Sequence, residues 1–275
     1  MMLRSPKAAR PARDSPIAAT SGRRAALHAA ARALQRIGEP ESTGLDAARH
    51  ARAARPNVRA APLRPRSEPM PKRPRTSLDV LLTEIRACRA CEADLPLGPR
   101  PVVRAHRDAR ILIVGQAPGA RVHASGIPWD DASGKRLRDW LGVDADTFYD
   151  DTRFAIVPMG FCYPGRGAGG DNPPRPECAA LWLDRLLAEL PSIRLTLLIG
   201  QYAQRHFLRT ARKATLTDTV RAWRDYGADV LPLPHPSPRN QAWFKHHPWF
   251  DAQVVPELRR RVAPLIGAAG RSSAR

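Results

Sequence analysis

The sequence predicts a three-layer α/β/α domain built on a central four-stranded parallel sheet. Three observations predict it. Four short apolar runs, 111–114, 154–157, 195–199 and 230–233, are continuous rather than alternating, which is the pattern of strands buried on both faces. Segments of helical periodicity separate them, and strands alternating with helices build parallel sheets. The runs lead into loops marked by Gly115, Pro158, Gly200 and His235. In open α/β sheets, binding sites form outside the carboxyl ends of the strands.

Order begins near Thr76. Thr76 and Asp79 form a capping box for a helix whose apolar positions Leu78, Leu81, Leu82 and Ile85 share one face. A Pro-rich connection leads from Cys88 and Cys91 to the first strand, which ends at Gly115. Residues 133–141 read as a helix with Ser133 as its cap and Leu137, Trp140 and Leu141 on one side. The second strand, 154–157, enters a Gly/Pro-rich loop over 160–176, and a helix follows over 177–190. The third strand ends at Gly200, with a helix over 202–208 and another over 216–223. The fourth strand runs to His235, and the last helix covers 252–262. No internal repeat is present.

The composition narrows the function classes. Of 275 residues, 45 are Lys or Arg and 26 are Asp or Glu, a formal charge of +19. A strongly basic chain favours a polyanionic partner, nucleic acid first. All 16 aromatic residues lie from Trp129 onward, and 17 basic against 5 acidic side chains fall within 1–75. An Arg/Ala/Pro-rich stretch without aromatics buries too little apolar surface to offset its ordering entropy. Residues 1–75 are therefore expected to be a disordered basic extension, 76–267 the folded domain, and 268–275 a disordered tail. The extension reads as a transit peptide, as a basic arm on DNA, or as sequence upstream of a true start at Met70. No run approaches 18 apolar residues, and no secretory h-region opens the chain. The expectation is a monomer without a membrane partner, in the cytoplasm of a bacterium and on its nucleoid when bound to DNA.

Four cysteines, Cys88, Cys91, Cys162 and Cys178, stand in loops or at helix starts. In a chain without an export signal they suit a soft metal or buried thiols better than disulfides. Four thiolates fit tetrahedral zinc or a [4Fe–4S] cluster, and the spacing alone does not choose. Unusual loops follow three of the strands, at 115–119, 158–178 and 235–238, and the segment after the first of them carries further chemistry as well. In Gly115-Gln116-Ala117-Pro118-Gly119, the glycines let backbone N–H groups approach a phosphate or a base. Trp129, in Gly126-Ile127-Pro128-Trp129-Asp130-Asp131, suits either a surface anchor or a stacking platform. His235-Pro236-Ser237-Pro238-Arg239-Asn240 combines a titratable ring with phosphate-seeking donors. The aromatic-basic stretch 243–250 is expected mainly to pack the C-terminal helix, with contact to nucleic acid as the other reading.

In this order, the segments resemble the uracil-DNA glycosylase superfamily from about Leu81 to Val262. The Gly115–Gly119 loop resembles the first glycosylase motif, Gly126-Ile127-Pro128-Trp129 the base-stacking segment and His235-Pro236-Ser237-Pro238 the last motif. The cysteine spacing is similar to that of the iron–sulfur class, family 4. The resemblance implies a [4Fe–4S] cluster on Cys88, Cys91, Cys162 and Cys178, structural rather than redox in role, with zinc the less favoured occupant. It implies a DNA glycosylase that flips uracil out of single- or double-stranded DNA, hydrolyses its N-glycosidic bond and leaves an abasic site for base excision repair. Trp129 would stack the uracil where the family usually has Phe, and His235 would donate to O2 as charge develops there. Gln116 and Ala117 would hold the base edge or the water. Gly119, Arg121, Pro236, Ser237, Arg239 and Asn240 would hold flanking phosphates.

Two departures mark a divergent subgroup. Ala117 and Gly119 stand where the best-known glycosylases carry Asp and Tyr, and Gln116 stands where the iron–sulfur class usually has Glu. The base-reading Asn expected four residues before the third cysteine is Pro158. Asp131 is the first candidate for the water-positioning carboxylate, then Asp130, then His123. The backbone of Met159, Gly160 and Phe161 is the candidate replacement for the missing amide. Two other functions stay open: a non-catalytic iron–sulfur protein recognising DNA damage or abasic sites, and a glycosylase for another deaminated base.

Overall fold

The structure, a computed structural model, describes residues 76–267; the expected extension 1–75 and tail 268–275 lie outside the described residues. The first helix, α1 (Ser77–Arg86), starts where the Thr76 side chain accepts the Asp79 N–H and the Asp79 carboxylate accepts the Thr76 N–H. It buries Leu78, Leu81, Leu82 and Ile85, each worth about 1.5–3 kcal/mol when fully buried.

Strands β1 (Ile111–Val114), β2 (Phe154–Ile156), β5 (Leu195–Ile199) and β6 (Val230–Leu233) form one parallel sheet in the order β2-β1-β5-β6. Alternate residues point to opposite faces. Ile111 and Ile113 join a core with Leu137, Trp140, Leu258 and Val262. Leu112 and Val114 join a second core with Leu81, Ile85, Leu183 and Ala203. Helices α3 (Ala132–Leu141) and α9 (Val255–Ile266) therefore cover one face. Helices α1, α5 (176–188) and α6 (Gln201–Leu208) cover the other. This is the expected three-layer architecture. The chain leaves β1 for β2 on one side and returns to β5 on the other, so the order reverses between β1 and β5. A crevice opens outside the carboxyl ends at such a switch point.

Several elements differ from expectation. Helix α3 is capped by Asp131, whose Oδ1 accepts the Gly134 N–H at 2.8 Å, and Ser133 lies buried within its first turn. Both residues are competent caps; the extended backbone at 131 decides. Short helices α2 (Ala120–Ser125), α4 (Ala145–Tyr149) and α8 (Gln241–His246) bury too few side chains for their period to show, whereas α7 (Leu216–Arg221) lies within the expected 216–223. Helix α5 widens into a π segment at Ala179–Leu183, and a π turn at Phe250–Val254 precedes α9, which shifts the last helix past the predicted 252–262. The loop 160–176 contains a hairpin, β3 (Arg166–Gly167) and β4 (Gly170–Asp171). The stretch 243–250 packs as expected: Trp243, Phe244, Trp249 and Phe250 all join the first core.

Candidate functional site

The crevice at the switch point is a cavity of about 180 Å³. Pockets for drug-sized ligands run to about 300–1,000 Å³, so this smaller space is scaled to one small ring. Gly115, Gln116, Ala117, Pro118 and Gly119 form one wall, Trp129 and Asp131 another, and His235, Ser237 and Asp171 close it.

The first wall is strapped from behind. The Met159 N–H donates to the Gly115 carbonyl at 3.0 Å, and the Gly160 N–H to the Gln116 carbonyl at 2.9 Å. The Phe161 N–H donates to Cys178 Sγ at 3.4 Å, and the Phe161 side chain is buried in the second core. All three N–H groups are thus engaged, and neither Gly160 nor Phe161 lines the cavity. The expectation that this backbone replaces the missing amide is corrected: it supports the wall and does not face a base. Pro158 does line the cavity, with no N–H to offer. The N–H groups of Ala117 and Gly119 have no backbone partner among the described residues. Gln116 Nε2 makes a long contact of 3.4 Å to the Asn172 carbonyl.

Trp129 is held in a left-handed backbone conformation, φ 59°. The Tyr149 hydroxyl donates to the Pro128 carbonyl at 3.1 Å and Arg138 Nη1 to the Trp129 carbonyl at 3.4 Å. Gly134 admits that carbonyl to van der Waals contact, and a Cβ on Gly115 would stand 3.0 Å from the indole Cζ2. Two glycines and two hydrogen bonds therefore fix the indole. Its ring centroid lies 5.6 Å from that of His235, the planes tilted by 32°.

His235 follows β6. The Ser237 N–H donates to His235 Nδ1 at 3.2 Å, so Nδ1 is the acceptor and the proton of the neutral ring sits on Nε2. Burial pulls the imidazole below its ordinary 6.5, against the opposing charges of Asp131 and Asp171, and it is neutral at pH 7. The Asn240 amide donates to the His235 carbonyl at 2.8 Å, so Asn240 closes this turn. The Ser237 hydroxyl accepts the Arg239 N–H at 3.2 Å. Pro236 is buried and outside the lining; the exposed Arg239 guanidinium lies against Gly170 at the hairpin tip.

The other expected residues separate. Asp131 lines the cavity while serving as a helix cap. Asp130 is outside the lining, 4.0 Å from the exposed Arg121 guanidinium. His123 also lies outside it, its ring 6.1 Å from Tyr163 and its buried Nδ1 without a hydrogen-bond partner. Sequence reasoning missed Asp171 and Ser133. The glycine-rich turn between Arg166 and Asp171 was the available hairpin signal.

The four cysteines are free thiols, three of them buried. They are close enough for charge on Cys91 and Cys88 to act on both Cys162 and Cys178. Burial raises Cys91 and Cys178 and pushes Cys162 up to about 12. The Trp182 indole N–H donates to Cys88 Sγ at 3.4 Å. Among the described residues, no group of three or more His, Cys, Asp or Glu is arranged around a single metal ion. No helix among them is long and apolar enough to cross a membrane.

The open parallel sheet thus carries at its switch point a ring-sized crevice walled by an indole and headed by a neutral imidazole with its N–H on Nε2. A family model, the Uracil DNA glycosylase superfamily, matches residues 103–259, more than half of the chain. The chain belongs to that superfamily, which makes DNA its partner and N-glycosidic hydrolysis its class of reaction.

Proposed function

We propose that the protein is a monomeric, monofunctional DNA glycosylase that removes uracil from DNA and leaves an abasic site. The observation that carries this reading is the pairing of Trp129 with a His235 ring whose tautomer is set by the Ser237 N–H. A flipped base stacked on the indole places its edge near the Nε2–H donor. As the C1′–N1 bond lengthens, negative charge gathers on the pyrimidine and Nε2–H stabilises it at O2. A preorganised donor of this kind is worth about 10²–10³-fold in rate. Gln116 and the unpartnered N–H groups of Ala117 and Gly119 hold the base edge, and Ser237, Arg121 and Arg239 meet phosphates at the rim.

Cys88, Cys91, Cys162 and Cys178 hold a [4Fe–4S] cluster in this reading, as in the iron–sulfur class. The donor set fits: four thiols, an apolar shell with Leu95 and Phe161, and two N–H donors to sulfur. The four thiols come from two segments, 88–91 and 162–178, which one cluster would join. Bound, it would anchor the 158–178 loop and neutralise buried thiolates.

The test is incubation of the full chain with oligonucleotides carrying uracil, hypoxanthine or xanthine, followed by alkaline cleavage. Uracil release is the expected result; binding without cleavage of any substrate overturns it. Pro158 in the lining favours a second reading, a glycosylase for another deaminated base, which cleavage confined to the hypoxanthine or xanthine strand would establish.

A further inference from the structure

The wall of the crevice lacks the acid expected on its first loop, yet a carboxylate reaches the cavity from elsewhere. The β3–β4 hairpin carries Asp171 into the lining, with Oδ2 only 3.4 Å from where a side chain on Gly119 would begin. A Cβ at 119 would rest in ordinary van der Waals contact with this carboxylate, so the hairpin and the first loop abut here. Among the described residues, the Asp171 carboxylate makes no hydrogen bond and no ion pair, whereas Asp131 has one oxygen fixed on the Gly134 N–H at 2.8 Å. The hairpin is braced from both sides. The Asn172 amide donates to the Pro164 carbonyl at 3.1 Å, the Asn172 N–H to the Gly165 carbonyl at 2.9 Å, and Arg239 covers Gly170.

We propose that Asp171 is the catalytic carboxylate that positions and deprotonates the attacking water; the inference rests on the glycosylase reading above. The C1′–N1 bond breaks with its electron pair passing to the pyrimidine, whose charge the His235 Nε2–H meets at O2. Water oxygen bonds to C1′ while one water proton moves to Asp171. That proton then neutralises the departing base, giving free base and an abasic sugar. A negative carboxylate facing the sugar also favours the positive charge that develops on it. Asp131 holds α3 and the Trp129 turn in place and is the supporting residue.

The experiment compares the full chain with Asp171→Asn, Asp171→Glu and Asp131→Ala. It measures single-turnover base release, affinity for an oligonucleotide bearing a stable abasic analogue, and melting temperature. Asp171→Asn is expected to slow release about 10²–10⁴-fold, the range of a lost acid–base group, with affinity and melting temperature unchanged. Asp171→Glu is expected to recover part of the rate, and Asp131→Ala, which removes the cap on α3, to lower the melting temperature. Wild-type release with an undiminished rate in Asp171→Asn overturns the assignment, as does a loss confined to affinity or melting. No release by the wild-type chain on any substrate overturns the glycosylase reading itself, a distinct outcome.

Discussion

Trp129 pays for its position with an unfavourable φ of 59°, a strain of order 1–3 kcal/mol that persists only because its neighbours over-determine it. The carbonyl resting on Gly134 is the tightest of these contacts, and it inverts a familiar rule. Alanine normally replaces a helical glycine with a gain of about 1 kcal/mol. Here a Cβ would overlap the Trp129 carbonyl, so Gly134→Ala is expected to lower stability by about 2–4 kcal/mol in denaturant titration and to weaken base stacking. His235 gives the second prediction at this scale. His235→Ala should cut single-turnover release about 10²–10³-fold while leaving affinity for an abasic analogue nearly intact, as expected of a donor that acts on developing charge. Trp129 and His235 were legible in the sequence because each stands beside proline, Trp129 after Pro128 and His235 between Pro234 and Pro236. Asp171 was not, because a carboxylate in a glycine-rich loop has no periodicity to report where it points.

Helix α9 shows how one carboxylate ties an element to the sheet. Glu257 accepts from Arg260 and Arg261 at 2.7 Å, and Arg261 donates onward to the carbonyls of Gly227, Ala228 and Val230 at 3.0–3.2 Å. These guanidinium contacts hold the Glu257 carboxyl down to about 2, from an ordinary 4.5. A depressed acid stabilises the fold above its unfolded value and ceases to do so as pH falls through its folded value. The contribution should therefore be complete above about pH 4.5 and lost between there and pH 2. Glu257→Gln is expected to cost about 1–2 kcal/mol at pH 7 and to flatten the acid limb of stability against pH. Arg175 ties another pair of segments, reaching Asp94 at 2.7 Å and Glu177 at 2.6 Å. It thereby fastens the turn after Cys91 to the start of α5, which carries Cys178. Arg175→Ala should change melting little, since partly exposed pairs contribute about 0–1 kcal/mol. It should speed the chelator-driven loss of visible absorbance from the proposed cluster.

Across the whole molecule, the cysteine group and the base-sized cavity are linked through one loop. Met159 and Gly160 brace the cavity wall, and the next residues, Phe161 and Cys162, enter the thiol group. Removing the proposed cluster by oxidation and chelation should therefore lower both melting temperature and affinity for DNA; retained affinity in iron-free protein would separate the two. The four strands, the two-faced burial and the capping of α1 were fixed by local pattern. Continuous apolar runs and a capping box act within a few residues, so any fold of this chain must satisfy them. The strand-end loops were legible as a group for the same reason. Three decisions belonged to tertiary structure. Strand order placed the β1 and β5 ends at the switch point, the extended backbone at 131 made Asp131 rather than Ser133 the cap, and the hairpin brought Asp171 against Gly119. The first and third depend on segments far apart in the chain meeting in space and the second on one backbone angle, and periodicity in one dimension records neither.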